Sequence, residues 1–495
     1  MDRRRFFRTV GFGGIAAGLS GRIFSARQAP ASSTGGRKAE HRPNILFAIA
    51  DDLSWLHTGA SGDRVVRTPT FDRVAREGVL FTRTFCSAPS CTPSRGAILT
   101  GQAFWRLEEG ANLWSTLPKK FEVYPDLLEA SGYEVGFTRK GWGPGSFGPG
   151  GRQRNPAGPP YTNFAQFLRS VHEGKPFCFW FGSHDPHRPY VKGSGLKSGK
   201  KLDDVRVPPF LPDVPEVRSD ILDYYFEVER FDREVGEMLV LLEESGNLHN
   251  TIVVITSDNG MPFPRAKANL YDYGTHLPLA VCWPERVKGG RVVDDFISFT
   301  DYAPTFLQAA GLEPPPPMTG RSFLDLLISD KSGRLDPSRD KVFTGRERHA
   351  FCRKGALGYP SRAIRTERFL YIRNFEPDRW PAGDPEQYGD VDRSPTKTFM
   401  MENRDAPNVS RLFQLAFAKR PAEELYDLQT DPAQLNNVAD LTQHGEVKNK
   451  LRAELERWMK ETSDPRAFGK GSEWDRQTYY GKKNPVFSPA PKMPP

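Results

Sequence analysis

The chain has 495 residues, of which 38% are hydrophobic and 26% charged; such a composition suits a globular protein long enough for two domains with sizeable cores. The net charge of +8 invites a nucleic-acid reading, but residues 1–31 hold Arg3, Arg4, Arg5, Arg8, Arg22 and Arg27 against Asp2, which is +5 of the excess. The remainder is close to balanced, so no nucleic-acid partner is expected.

Arg3-Arg4-Arg5-Phe6-Phe7 is a twin-arginine pattern, followed by a short Gly-rich apolar segment from Thr9 to Leu19 and a small-residue cleavage site at Ala29-Pro30-Ala31. Residues 1–31 are therefore expected to be a signal peptide, with the twin-arginine export machinery as a partner and a periplasmic or secreted location. The apolar core is too short to span a bilayer, and no other stretch reaches ~18 apolar residues, so no stable membrane anchor is expected in the mature form. The five cysteines are too few and too scattered for a disulfide framework.

Asn44 to Ala50 is nearly continuous in apolar residues, as expected of a strand buried on both faces, and it ends in Asp51-Asp52. Adjacent carboxylates repel each other and call for a cation, or else they cap a turn. Next comes Cys91-Thr92-Pro93-Ser94-Arg95, where proline and serine suit a helix start. A cysteine there sits in a positive field beside a guanidinium, suited to an activated thiolate or an anion site. The alternative is a structural cysteine, buried or paired with Cys86.

Four further strands repeat the first design. Glu134 to Thr138 leads into Arg139-Lys140, and Phe177 to Gly182 into Ser183-His184-Asp185-Pro186-His187-Arg188. Thr251 to Thr256 leads into Asp258-Asn259-Gly260, and Leu279 to Trp283 closes the set. Helical periodicity between them is clearest over Arg218–Glu244. Strand–helix alternation predicts an α/β fold, with a mostly parallel sheet and helices on both faces. In such sheets ligands bind beyond the carboxyl ends of the strands, so Asp51, Asp52, Lys140, His184, Asp258 and Asn259 are expected to converge.

The pattern breaks at Glu313-Pro314-Pro315-Pro316-Pro317, and Ser322 to Ile328 reads as a helix. Short strands follow at 341–344, 362–365 and 369–374, then a Glu424–Leu428 segment and an amphipathic helix over Val447–Thr462 with Leu451, Leu455 and Trp458 on one face. These predict a smaller C-terminal antiparallel sheet packed by a helix. Phe375–Lys419 reads as a substrate-side loop and Gly469–Pro495 as a loose tail. The expected divisions are a catalytic α/β domain over 42–335, a C-terminal α+β subdomain over 336–468, and the tail over 469–495.

The Cys91-Thr92-Pro93-Ser94-Arg95 run, with Leu99-Thr100-Gly101 after it, resembles the signature of the type I, formylglycine-dependent sulfatases. The resemblance extends from about Arg42 to Ser463 and implies an alkaline-phosphatase-like fold. It further implies a sulfohydrolase in which Cys91 is oxidised to formylglycine, making a formylglycine-generating enzyme a partner and a sulfated glycan the substrate. One Ca²⁺ would be held by Asp51, Asp52, Asp258 and Asn259, hard oxygen ligands that suit calcium or magnesium better than zinc. Arg95, Lys140 and Lys267 match the family's basic groups, and His184 is the candidate general acid. His187, Arg188 and His276 are candidate substrate contacts. Many sulfatases carry a histidine two residues after the lysine that Lys140 matches; here that residue is Trp142, which could offer a sugar-stacking surface.

Within the family the resemblance is strongest to heparan N-sulfatases (sulfamidases), through His184-Asp185-Pro186-His187-Arg188, Val207 to Pro212, Ser257 to Pro264 and Asn269-Leu270-Tyr271. An O-sulfatase for algal polysaccharide, a non-catalytic glycan-binding relative and a phosphoester hydrolase of the same superfamily are the alternatives.

Overall fold

The computed structural model describes residues 42–483. The expected twin-arginine leader over 1–31 and the last twelve positions of the expected tail lie outside the described residues. Among the described residues twelve strands form two sheets. The larger contains β1 (Asn44–Ala50), β2 (Val79–Phe85), β3 (Glu134–Arg139), β4 (Phe177–Gly182), β5 (Thr251–Ser257), β6 (His276–Cys282), β7 (Arg291–Val293) and β8 (Ile297–Ser298). Its order is β3-β4-β1-β5-β6-β2-β7, with β8 also paired to β2.

Strands β3, β4, β1 and β5 run parallel as neighbours. Strand β6 is antiparallel to both β5 and β2, while β2 is parallel to β7 and β8. The sheet is mostly parallel, as the alternation of elements predicts.

Burial explains why β1 is apolar throughout. Leu46, Ala48 and Ala50 pack into one core with Ile221, Leu222, Val228 and Val235 of the Pro215–Glu244 helix. Ile45, Phe47 and Ile49 face the opposite core, which contains Ile98 and Leu99 of the Cys91–Thr100 helix and Phe306 of the Tyr302–Ala309 helix. With both faces covered, any polar residue inside the strand would be desolvated without a partner.

The second sheet comprises β9 (Lys341–Arg346), β10 (Ser361–Thr366), β11 (Phe369–Asn374) and β12 (Glu423–Asp427), antiparallel in the order β12-β11-β10-β9. Leu451, Leu455 and Met459 of the Gly445–Glu461 helix bury against Ile364, Tyr371 and Leu425. Met459 takes the inward place expected of Trp458, whose ring stacks 4.6 Å from that of Phe343.

Two stretches are more ordered than expected. Phe375–Lys419 contains helices at Pro395–Glu402 and Ser410–Phe417, built on the apolar contacts of Met400, Phe413 and Phe417. The described start of the tail is held down as well: Trp474 is buried beside Phe104 and Trp105 and donates from Nε1 to the Glu108 carbonyl, and Tyr479 packs near Trp114. Its aromatic residues overrule its Pro- and Lys-rich composition.

Candidate functional site

Parallel pairing of β3, β4, β1 and β5 places the residues that follow them on one edge of the sheet. The backbone sets the register there: Asp51 N–H donates to the Asp185 carbonyl, Lys140 N–H to that of Gly182, and Asp258 N–H to that of Ala50. Asp52 has φ 80°, a left-handed conformation that turns the chain sharply after its strand. It is fully buried, and its N–H donates to Asp258 Oδ1 at 3.1 Å.

Asp51, Asp52, Cys91 and Asp258 each bring a ligand atom into one group in which no two atoms are more than 4.8 Å apart. Asn259 adjoins it, donating from Nδ2 to Asp258 Oδ1 at 2.7 Å. Two buried oxygens in this group, Asp52 Oδ1 and Asn259 Oδ1, have no hydrogen-bond partner. Buried acceptors left unpaired are costly, and a hard cation satisfies both. The donor set fits Ca²⁺ or Mg²⁺ and, with a single thiol and no imidazole within the group, does not fit a structural zinc site.

Cys91 opens the Cys91–Thr100 helix, with Ser90 rather than Ser94 at the cap position. Ser94 lies in the first turn and donates to the Asp258 carbonyl at 2.5 Å, tying helix to ligand loop. The Cys91 thiol donates to Asp51 Oδ1 at 3.5 Å, and Asn259 Nδ2 lies 3.7 Å from its sulfur. Burial and then Asp258 push this thiol well above the usual cysteine range, against Lys140, so it is not an activated thiolate. All five cysteines are unpaired, and Cys86 donates to the Gly274 carbonyl rather than bridging to Cys91.

Arg95 is fully buried and held in place from several sides. Its Nε meets Asp258 Oδ2 at 2.8 Å, and Nη1 donates to the carbonyls of Lys140 and Gly141. Its Nη2 has no hydrogen-bond partner and lies 3.7 Å from Asp51. Lys140 Nζ bridges both Asp51 oxygens at 2.7 and 2.6 Å. Burial alone would raise Asp51, but Lys140, helped by His187 and Arg95, outweighs it and holds the carboxyl well below the ordinary range. Lys267 Nζ sits between Asp52 Oδ2 at 2.7 Å and Asp392 Oδ2 at 3.3 Å.

A cleft of about 680 Å³ opens over Asp51, Lys140, His184 and His187, walled by Trp114, Arg139 and Arg230. His184 is exposed in it. Partial burial and the Lys140, Arg95 and Arg139 cations lower its pKa, while Asp51 opposes them. His187 lies on the same wall, its Nε2 3.9 Å from Asp52 Oδ2.

Of the other expected substrate contacts, Arg188 and Trp142 line the cleft with little exposure, and His276 does not line it. The Arg188 guanidinium is paired in bidentate fashion with Asp220 at 2.7 and 2.8 Å and lies over the rings of Tyr190 and Phe263. A buried carboxylate outcompetes an open cleft for it. His276 is sandwiched between Trp55 and Phe85, with Nε2 at 2.7 Å from the Thr82 carbonyl, because it begins β6 rather than following a strand end. Trp142 borders the cleft but is only 4% exposed, held by Asn155 at both its N–H and its carbonyl. It presents no open ring face for a sugar.

Two residues escape sequence reading. Asp392, which completes the pairing of Lys267, and His349, whose Nδ1 lies 2.8 Å from Ser90 Oγ at the cap of the Cys91 helix, both come from the C-terminal half. The acidic Asp390-Val-Asp392 repeat in a long segment without periodicity is the only sequence signal pointing to them.

Comparison with known proteins bears on this geometry. The chain matches the Sulfatase family over residues 43–152 and 159–312, and the C-terminal region of N-sulphoglucosamine sulphohydrolase over 265–391. It is 29% identical to human N-sulphoglucosamine sulphohydrolase, over 85% of this chain and 91% of that one. It is likewise 29% identical to an ulvan-active sulfatase of Formosa agariphila, over 86% and 81%. A solved structure in complex with its substrate D-glucosamine-2-N,6-O-disulfate shares the fold at TM-score 0.64 and 18% identity, covering 86% of this chain and 98% of that one. The phosphonate monoester hydrolase of Agrobacterium radiobacter does so too, at TM-score 0.64 and 17% identity, covering 85% and 96%. A family match over more than half of the residues, joined to an acidic cluster around Cys91 on the ligand edge of the sheet, makes this chain a member of the sulfatase family and a sulfate-removing hydrolase.

Proposed function

We propose that the protein is an exported sulfohydrolase of sulfated glycans in which Cys91 is converted to formylglycine and one Ca²⁺ is held by Asp51, Asp52, Asp258 and Asn259. The observation that carries this reading is the seating of Cys91 at a helix start, within 3.7 Å of both Asp51 and Asn259, beside two buried oxygens without partners. In the structure the thiol stands where the aldehyde hydrate of the matured residue would be. When present, the cation and hydrate together would supply charge neutralisation and an oxygen nucleophile.

The chain's own residues do the rest. Arg95, fixed by Asp258, keeps Nη2 free to donate toward residue 91. Lys140 and Lys267 place two ammonium groups around the position of a sulfate, which carries the charge that repels nucleophiles. His184, exposed at the wall, donates a ring proton to the departing sugar oxygen or nitrogen. A bound sulfate offsets the cations that lower the His184 pKa, so substrate binding itself favours its protonated form.

For the substrate we take N-sulfated glucosamine first, supported by the 265–391 match and the relative it names. An algal O-sulfated polysaccharide is the second reading, supported by an ulvan-active relative of equal identity. The division into a catalytic domain over 42–335 and a C-terminal subdomain over 336–468, with export through a leader at 1–31, belongs to the same proposal. The test is sulfate release from N-sulfoglucosamine and from ulvan oligosaccharides, together with peptide mass spectrometry of residue 91. Release from neither class, or an unmodified thiol in active protein, overturns the reading.

A further inference from the structure

Buried cations in this chain are paired with carboxylates almost throughout. Arg95 has Asp258, Arg188 has Asp220, Arg339 has Asp301, Arg346 and Arg353 share Asp390, and Arg362 has Asp464 and Glu347. That is the expected rule, because an uncompensated buried charge is expensive.

Arg265, buried, departs from it, and it shares its pocket with the half-buried Arg420 and the exposed Arg411 and Lys419. A cavity of about 290 Å³ is lined by Arg265, Arg411, Lys419 and Arg420, and none of the four forms an ion pair among the described residues. Its one carboxylate, Glu424, is already used: Oε2 accepts from the hydroxyls of Tyr271 and Tyr426, and Oε1 accepts from Asn374 Nδ2. Arg265 and Arg420 lie on the Tyr271 ring, 3.9 and 5.0 Å from its centroid. Arg265 is 2% exposed, and its Nε has no hydrogen-bond partner; nor has that of Arg420. Arg291 and Arg348 also lack a carboxylate and donate to backbone carbonyls, as Arg265 does through Nη1 to Leu415 and Nη2 to Gln434, but each of those two stands alone. Here four cations face one cavity.

The pocket is built on the loop that carries Lys267. Arg265 precedes Lys267 by two residues, and Asn269 follows it by two. Asn269 donates to the Lys267 carbonyl and accepts from Arg420 Nη2 at 2.6 Å. One loop thus presents a cation to the reacting sulfate on one side and to this cavity on the other.

We propose that the cavity is a second anion site, which takes a sulfate group of the same polyanionic glycan chain some units away from the bond being hydrolysed. This rests on the sulfated-glycan reading above. Arg265, Arg411 and Arg420 each give a guanidinium nitrogen to a neutral oxygen, so four positive charges around one cavity remain without a counter-ion and suit an oxyanion. Engaging two sulfates of one chain raises affinity through effective concentration rather than through new contacts at the active site.

The test uses the exposed rim residues Arg411, which donates to Asn436 Oδ1 at 2.8 Å, and Lys419, whose Nζ lies 5.5 Å from the centre of the Trp380 ring. In Arg411→Ala/Lys419→Ala, Kd for a highly sulfated octasaccharide measured by calorimetry is expected to rise at least about tenfold. KM for that chain is expected to rise with it, while kcat/KM for a sulfated monosaccharide is unchanged. Unchanged octasaccharide affinity, confirmed in the charge-reversed Lys419→Glu, overturns the proposal. So does saturation of the pocket by sodium sulfate that the octasaccharide fails to displace, since the site would then take a free oxyanion. The affinity measurement needs no turnover. Loss of octasaccharide affinity in a protein that releases no sulfate would therefore sink the hydrolase reading while leaving this site standing.

Discussion

Asp52 is the residue on which most of the site depends. Its N–H fixes Asp258, its Oδ2 receives Lys267, and its Oδ1 is left for a cation. Asp52→Asn keeps the size but removes the charge, so the variant is expected to lose stoichiometric Ca²⁺ by elemental analysis. Chelation should then lower the melting midpoint of the parent protein and leave the variant unmoved, because an ion bound only to the folded state adds about 2.7 kcal/mol at a hundred times its Kd. A variant that retains Ca²⁺ would place the ion elsewhere. Asp392 allows a finer test, since it touches Lys267 and stands outside the Asp51–Asp52–Cys91–Asp258 group, although with Asp52 and His187 it forms a second group of possible ligands. Asp392→Asn weakens one charge-assisted bond, an effect of about 1.5–3 kcal/mol, or roughly ten- to a hundredfold in kcat/KM, with metal content unchanged. Equal losses of metal and activity would assign Asp392 to the cation site instead. Asp51, Asp258 and Asn259 were legible as a group because each follows a buried strand. Asp392 was not, being 125 residues from Lys267 in a stretch with neither period nor strand end.

At the scale of elements, apolar runs located β1, β3, β4 and β5 within a residue of their observed ends. The same signal missed β2, whose centre reads Phe81-Thr82-Arg83-Thr84, because that strand is only partly covered and shifts register between Phe81 and Thr84. Nor could it give direction: β6 is as apolar as its neighbours yet runs against them, and hydrophobic periodicity carries no sign. The closest contact between elements near the site is at Gly182, where a Cβ would stand 1.6 Å from the Lys140 carbonyl oxygen. That carbonyl also accepts from Arg95 Nη1 and Trp180 Nε1. Gly182→Ala should force β3 and β4 apart where they deliver Lys140 and His184. Overpacking of this kind costs about 1–3 kcal/mol, and the expected result is a lower urea midpoint together with a loss of activity out of proportion to it. Full activity in a folded Gly182→Ala protein would mean that the position of Lys140 tolerates displacement.

Across the whole molecule, buried titratable groups of two kinds oppose each other in acid. Burial lowers His57 to about 4, His276 to about 4 and His349 to about 3, so these rings stay neutral in the fold while the unfolded chain takes up their protons below about 6.5. Their contribution is present above pH 6.5 and is lost as pH falls toward those lower values. Burial raises Asp232 to about 6 and Glu227 to about 7, so these carboxyls take up protons in the folded state first. Their contribution is present below about 4 and is lost as pH rises through 6 to 7. Between pH 6.5 and 4.5 the two sets act in opposite senses, each group with a slope of up to about 1.4 kcal/mol per pH unit. His184, also lowered by burial, and Asp185, also raised by it, add one group to each side. With Ca²⁺ present to hold Asp52 ionised, four histidines face three carboxyls, and the expected stability declines only gently with acid. Single variants should separate the opposing effects. Asp232, which accepts from the N–H groups of Thr70 and Phe71 at the start of the Pro69–Glu77 helix, gives a steeper acid decline as Asp232→Asn, because one compensating proton is gone. His57, at 3.1 Å from the Tyr224 hydroxyl, gives a shallower one as His57→Gln, because one destabilising proton is gone. Urea unfolding at intervals from pH 7 to 4.5 reads both slopes, and profiles parallel to the parent in both variants would show that these buried groups do not titrate against folding.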